Sequence, residues 1–182
     1  AVATIAAVLG GIGTAGASTV GSLSVSVQPP VAGATGARYS IAFTNTSALS
    51  VNDTISLTGP AGTVFPYSCS YQIIDTTPNP DVVLQGACAT PGDDTNDIDL
   101  YVWTEIPAGH ALQIVADDVG NAATSGSKTL TLATSTDTSP AVAGFTLSAP
   151  SAVTGVTTSV VPDVAGASGA RWTVDFSAPH QL

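Results

Sequence analysis

Apolar and polar positions alternate in short runs along most of the chain. Tyr39, Ile41 and Phe43 are spaced by Ser40 and Ala42, and Trp172, Val174 and Phe176 by Thr173 and Asp175. Ile55 and Leu57, Leu112 and Ile114, and Leu130 and Leu132 form further pairs two residues apart. A period of two marks a strand with one buried face. The pattern predicts strands at 23–27, 37–44, 53–58, 70–74, 82–87, 98–105, 111–116, 128–133, 141–147, 156–161 and 171–176. Turn-forming pairs and triplets separate them, among them Gly59-Pro60, Pro78-Asn79-Pro80, Pro91-Gly92, Pro107-Ala108-Gly109 and Gly120-Asn121. No window carries a 3.6-residue period, and Gly10, Gly11 and Gly13 argue against a helix in the Ala-rich start. Many short strands with regular turn signals predict an all-β antiparallel sandwich.

One stretch occurs twice. Residues 26–38 read SVQPPVAGATGAR and residues 159–171 read SVVPDVAGASGAR, an offset of 133 residues. In each copy the apolar triplet beginning at Tyr39 or Trp172 follows directly, so the repeated element is a loop feeding a strand. Its glycines supply turn geometry and its proline a rigid entry. The second copy reaches only its second strand before Leu182. The expected organisation is an apolar N-terminal extension (1–19), a sandwich (20–150) and a partial second repeat (151–182) packed on the sandwich or on a neighbour.

Charge narrows the function classes. The 182 residues hold 13 Asp plus Glu against 3 Lys plus Arg, a net charge of −10. Lys128, Arg38 and Arg171 are too few cations to neutralise a phosphate backbone or an anionic bilayer, which excludes nucleic acid and such membranes as partners. Mean hydropathy is +0.37 with 44% hydrophobic residues, which is not the composition of a disordered polymer. Ser, Thr, Asn and Gly must therefore supply the polar surface. That lysine-poor, Ser/Thr-rich composition points to an extracellular location.

Two segments carry a family resemblance. Residues 37–66, ARYSIAFTNTSALSVNDTISLTGPAGTVFP, and 119–140, VGNAATSGSKTLTLATSTDTSP, resemble immunoglobulin-like β-sandwich repeats of bacterial and archaeal extracellular surface proteins. The resemblance covers about one repeat and the start of another. It implies an Ig-like or jelly-roll-type sandwich, display at the cell surface, a structural or adhesive role and no enzymatic activity.

Candidate chemistry is sparse. Cys69 and Cys88 flank the Pro78–Pro80 turn, so a hairpin would bring them together; an intrachain disulfide there would stabilise the fold by about 3 kcal/mol. The alternative is two buried thiols. Asp93, Asp94, Asn96, Asp97 and Asp99 offer the hard oxygen ligands that suit Ca²⁺, with Asp117, Asp118 and Asn121 as a second cluster that could converge. The alternative is a solvated acidic loop that maintains solubility. No cofactor other than Ca²⁺ is implied. Asn45-Thr46-Ser47 and Asn52-Asp53-Thr54 match the N-glycosylation pattern. His110, His180 and the single Glu105 leave little for acid–base catalysis, and no GxSxG element occurs. Tyr101 and Trp103 alternate with Leu100 and Val102; core packing is the ordinary expectation, a sugar-stacking platform the alternative.

Residues 1–12, AVATIAAVLGGI, are too few to span a bilayer, which takes about 20. They resemble a signal-peptide core followed by a small-residue site at 15–18, although no basic region precedes them. Retained, Val2, Ile5, Val8, Leu9 and Ile12 would need burial against their own domain or another chain. The first functional expectation is therefore a structural subunit of an extracellular filament or pilus-like assembly, a homopolymer joined head-to-tail by donor-strand complementation. The alternative is an adhesin-type binding repeat of a longer surface protein, with a glycan or host surface as its partner.

Overall fold

The computed structural model describes residues 17–77, 81–87, 89–91 and 96–177. They form two five-stranded sheets and one separate hairpin. The first sheet runs β1 (Gly21–Gln28), β2 (Ala37–Thr44), β8 (Ala111–Val119), β4 (Tyr71–Asp75) and β5 (Val82–Ala87). The second runs β10 (Ala141–Leu147), β9 (Gly126–Thr134), β3 (Thr54–Thr58), β7 (Asp97–Tyr101) and β6 (Ala89–Pro91). The hairpin is β11 (Thr154–Val161) with β12 (Arg171–Ser177). Every strand pairing is antiparallel, as expected for an all-β sandwich. Among the described residues no helix is long and apolar enough to cross a membrane.

Register turns the alternating pattern into a core. Ile114 stands opposite Ile41 on one side and Ile73 on the other, so three buried isoleucines form a row across the first sheet. In the second sheet Leu57 lies between Leu132 and Ile98, and Ile55 stands opposite Leu100. Fully burying each of these side chains is worth about 1.5–3 kcal/mol before ordering costs. Tyr39 joins the layers, meeting Phe65 and Phe145 edge-on at centroid distances of 5.9 and 5.8 Å. A one-residue slip in β2 would turn Tyr39, Ile41 and Phe43 to solvent, so the core itself specifies the register.

One side of the sandwich is closed by main-chain bonds between the sheets. Ala32 N donates to Ser148 O at 2.9 Å, and Ser148 N to Pro30 O at 2.7 Å. Ser139 N donates to Ser18 O at 2.9 Å, which ties the chain just before β1 to the start of β10. These bonds lie just beyond the ends of β1 and β10 and hold the two edge strands beside each other.

Two expectations change. β7 ends at Tyr101 instead of running to residue 105; Val102 still exchanges main-chain bonds with Asp53 and Asn52, where the neighbouring chain bends into a turn. Asn52 takes a left-handed φ of 77°, and Ser50 N donates to the Asp53 carboxylate at 2.6 Å, closing a turn before β3. The strand β6 was hidden because Pro91 reads as a turn residue, yet a proline on a sheet edge gives up no ladder bond.

β4 pairs with β5 so that Tyr71 faces Ala87. Cys69 precedes this pair by two residues and Cys88 follows it by one, so both chains leave the sheet at the same end. Cys88 lies outside the described residues, and the disulfide stands as an expectation. Alkylation of unfolded, unreduced protein should label no cysteine by mass spectrometry. Reduction should lower stability by about 3 kcal/mol; two labelled cysteines would refute the pairing.

Candidate functional site

Among the described residues, packing does not account for the β11–β12 hairpin. It reproduces the β1–β2 hairpin position by position at the 133-residue offset seen in the sequence. Both hairpins have a register shift in their first strand, at Gly21/Ser24 and at Thr154/Thr157. Both have an X-Pro cis peptide at the strand end, Gln28-Pro29 and Val161-Pro162. In both loops two glycines take positive φ, 72° and 72° at Gly33 and Gly36, 79° and 72° at Gly166 and Gly169. A side chain is strained in that region, which is why the motif repeats its glycines.

The burial is opposite. Tyr39, Ile41 and Phe43 are 0%, 0% and 2% exposed, whereas Trp172, Val174 and Phe176 are 68%, 54% and 46% exposed. The register sets Trp172 opposite Val160 and Val174 opposite Thr158. One face of the hairpin therefore carries Val156, Thr158, Val160, Trp172, Val174 and Phe176. The other carries Thr157, Ser159, Arg171, Thr173 and Asp175, with Val161. This is an amphipathic hairpin whose apolar face has no layer against it among the described residues.

In the first copy the corresponding loop is held by a buried polar clamp. Asn121 Nδ2 donates to Pro29 O at 3.0 Å and to Val31 O at 2.8 Å, and its Oδ1 accepts from the Tyr39 hydroxyl at 2.9 Å. Asn121 N donates to Ala34 O at 2.8 Å, and Gly33 N to Ala122 O at 3.0 Å. Beside it Arg38 pairs with Asp117 through two bonds of 2.6 and 3.1 Å. Arg171 stands at the position of Arg38 in the second hairpin.

The other end of the sandwich has its own latch. The fully buried Asp137 carboxylate accepts from Thr46 N at 2.8 Å, Thr46 Oγ1 at 2.7 Å and Ser47 N at 3.1 Å. Burial alone raises its pKa; hydrogen bonds from Ser47, Thr46 and Ser18 outweigh that and hold it at about 2. A third polar pair joins β4 to the turn before β8, with His110 Nδ1 2.7 Å from Asp75 Oδ2. Burial raises the Asp75 pKa, but the bonds from His110 and Thr77 leave it lowered overall.

The remaining candidates from the sequence fall as follows. Asp97 and Asp99 lie on the outer face of β7 and accept hydrogen bonds from Thr58 and Ser56, while Asn96 Nδ2 donates to Gly59 O at 2.8 Å. Asp93 and Asp94 lie outside the described residues. Among the described residues no three His, Cys, Asp or Glu converge on a metal position. The second acidic cluster is corrected: Asp117 binds Arg38 and Asn121 binds the loop, so they do not converge on a cation.

Asn45 is corrected too, since it is 0% exposed and its amide donates to Ser47 O and Pro107 O, leaving it no access to a glycan in the folded domain. Asn52 is exposed and stays a candidate acceptor. Leu100 and Val102 are buried while Tyr101 and Trp103 point outward, 40% and 52% exposed, which overturns the core expectation for that aromatic pair. His180 and the assembly residues Val2, Ile5, Val8, Leu9 and Ile12 lie outside the described residues.

No family model matches the chain, and no curated protein sequence matches it. Among solved structures, BslA, a bacterial hydrophobin, is similar at 12% identity and a TM-score of 0.44, covering 70% of this chain and 99% of its own. A collagen-binding domain from a Staphylococcus aureus adhesin is similar at 12% identity and a TM-score of 0.36, covering 70% and 95%. Both likenesses are remote, and the fold stands on the strands and registers given above.

Proposed function

We propose that the chain is a structural module of an extracellular surface assembly, in which the two-stranded second copy of one unit is completed by strands from the next unit. The bared apolar face of β11–β12 carries this reading. An isolated two-stranded hairpin is marginal in water, and the same face in the first copy is buried at Val27, Tyr39, Ile41 and Phe43 and half-buried at Leu23 and Val25. A contiguous apolar patch of this kind marks an interaction surface. The acidic, lysine-poor composition supports an extracellular setting, and the reading assigns the module no enzymatic role.

Two arrangements satisfy it. In a filament the neighbouring chain donates its apolar residues 1–12 along the free edge of β12, which in the first copy is the edge where β2 pairs with β8. In an adhesin-type array the completing strands come from a further repeat of a longer polypeptide. Deleting residues 1–12 and measuring mass by light scattering separates them. The filament arrangement expects polymers of the full chain, lost on deletion while the sandwich still melts cooperatively. A full chain that stays monomeric at high concentration refutes that arrangement. A coding sequence that continues past Leu182 into further strands supports the array.

A further inference from the structure

The loop between β11 and β12 has the shape of its counterpart, but among the described residues nothing clamps it as Asn121 clamps the first. Ala167 N donates to Val164 O at 3.1 Å, as Ala34 N does to Val31 O at 3.2 Å. Pro162, Val164, Gly166, Ala167 and Trp172 occupy the positions of Pro29, Val31, Gly33, Ala34 and Tyr39. In the first copy these are the residues that Asn121 and Ala122 engage. In the second, a shallow, solvent-open cavity of about 480 Å³ lies against the loop, lined by Val160, Pro162, Asp163, Val164, Gly166 and Trp172 among others.

We propose that this cavity is a socket for an Asn-Ala turn presented by the next sandwich unit. The Asn amide donates to the carbonyls of Pro162 and Val164. Its side-chain oxygen accepts from the Trp172 indole N–H, which takes the place of the Tyr39 hydroxyl. The following Ala carbonyl accepts from Gly166 N. Asparagine is selected because it offers two donors and an acceptor on one short side chain; aspartate lacks the donors, and an apolar residue leaves the loop carbonyls unpaired. These acceptors are main-chain atoms, so Thr35 can become Ser168 and Pro30 become Asp163 without altering them. The inference rests on the completion reading above. Residues 1–12 contain no Asn, so the occupant is a strand corner of a further sandwich and not the N-terminal segment.

The test extends the full chain after Ser177 with a second copy of residues 45–150, with Trp103→Phe in both copies so that Trp172 is the sole tryptophan. A control carries the residues of 21–44 in place of 154–177. Acrylamide quenching of Trp172 is expected to fall several-fold on extension. Asn121→Ala in the appended copy should restore most of the quenching and lower the melting temperature of the second sandwich. If Trp172 is shielded whichever residue is present, the socket is overturned and the completion reading survives. If Trp172 stays open in the extended chain while the control folds as two sandwiches, both are overturned.

Discussion

Asn121→Ala is expected to destabilise the sandwich by about 2–4 kcal/mol, one of the largest losses available from a single polar residue. The change removes three hydrogen bonds at once. Pro29 is exposed and Val31 half-buried, so water can reach their carbonyls, but the Tyr39 hydroxyl lies at a fully buried residue. An unsatisfied buried group costs about 1–3 kcal/mol, and loosening of the loop adds to it. Tyr39→Phe leaves only Asn121 Oδ1 without its donor and keeps both bonds to the loop, so it should cost less, about 1–2 kcal/mol. Urea unfolding measures both as midpoint shifts at constant slope. A cost for Asn121→Ala no greater than for Tyr39→Phe would show that the clamp on the loop carries no energy.

Asp137 gives the second large effect, and it depends on pH. Its folded pKa of about 2 lies below the ordinary 3.8, so the unfolded chain takes up the proton first as the solution is acidified. The depressed pKa therefore contributes stability that is fully present above pH 3.8 and is lost as the pH falls through about 2. The shift corresponds to roughly 2 kcal/mol. Asp137→Ala at neutral pH should cost about 3 kcal/mol, because the donors of Thr46 and Ser47 lose their acceptor. The gap between parent and variant should narrow in acid. An Asp137→Ala deficit that is the same at pH 2 and pH 7 would show that the carboxylate's charge plays no part.

Most of the strands were legible because the sheets are buried on one face only. The strands at 37–44, 82–87 and 141–147 have the same ends in sequence and structure, since turn residues flank these runs. Polar pairing was harder. By residue type alone Asn121 reads as a calcium ligand and Asn45 as a glycan acceptor, because both carry the side chain those chemistries need. Their actual partners, Pro29, Val31 and Pro107, lie 62 to 92 positions away along the chain. Asp137 and the His110–Asp75 pair gave no local signal at all, since a buried carboxylate and an exposed one have the same neighbours in sequence.

The repeat shows where sequence stops and tertiary structure begins. Local terms alone determine the β1–β2 and β11–β12 hairpins: alternation sets the faces, and glycines with positive φ set the loop. That is why two stretches of similar sequence adopt one shape. Whether the apolar face becomes a core is decided elsewhere. Tyr39 is buried because β8 brings Asn121 to it and Phe65 and Phe145 pack on its ring; Trp172 is exposed because none of the described residues does the same for it. Burial is a property of the second layer, and a strand's own residues specify only which face needs one.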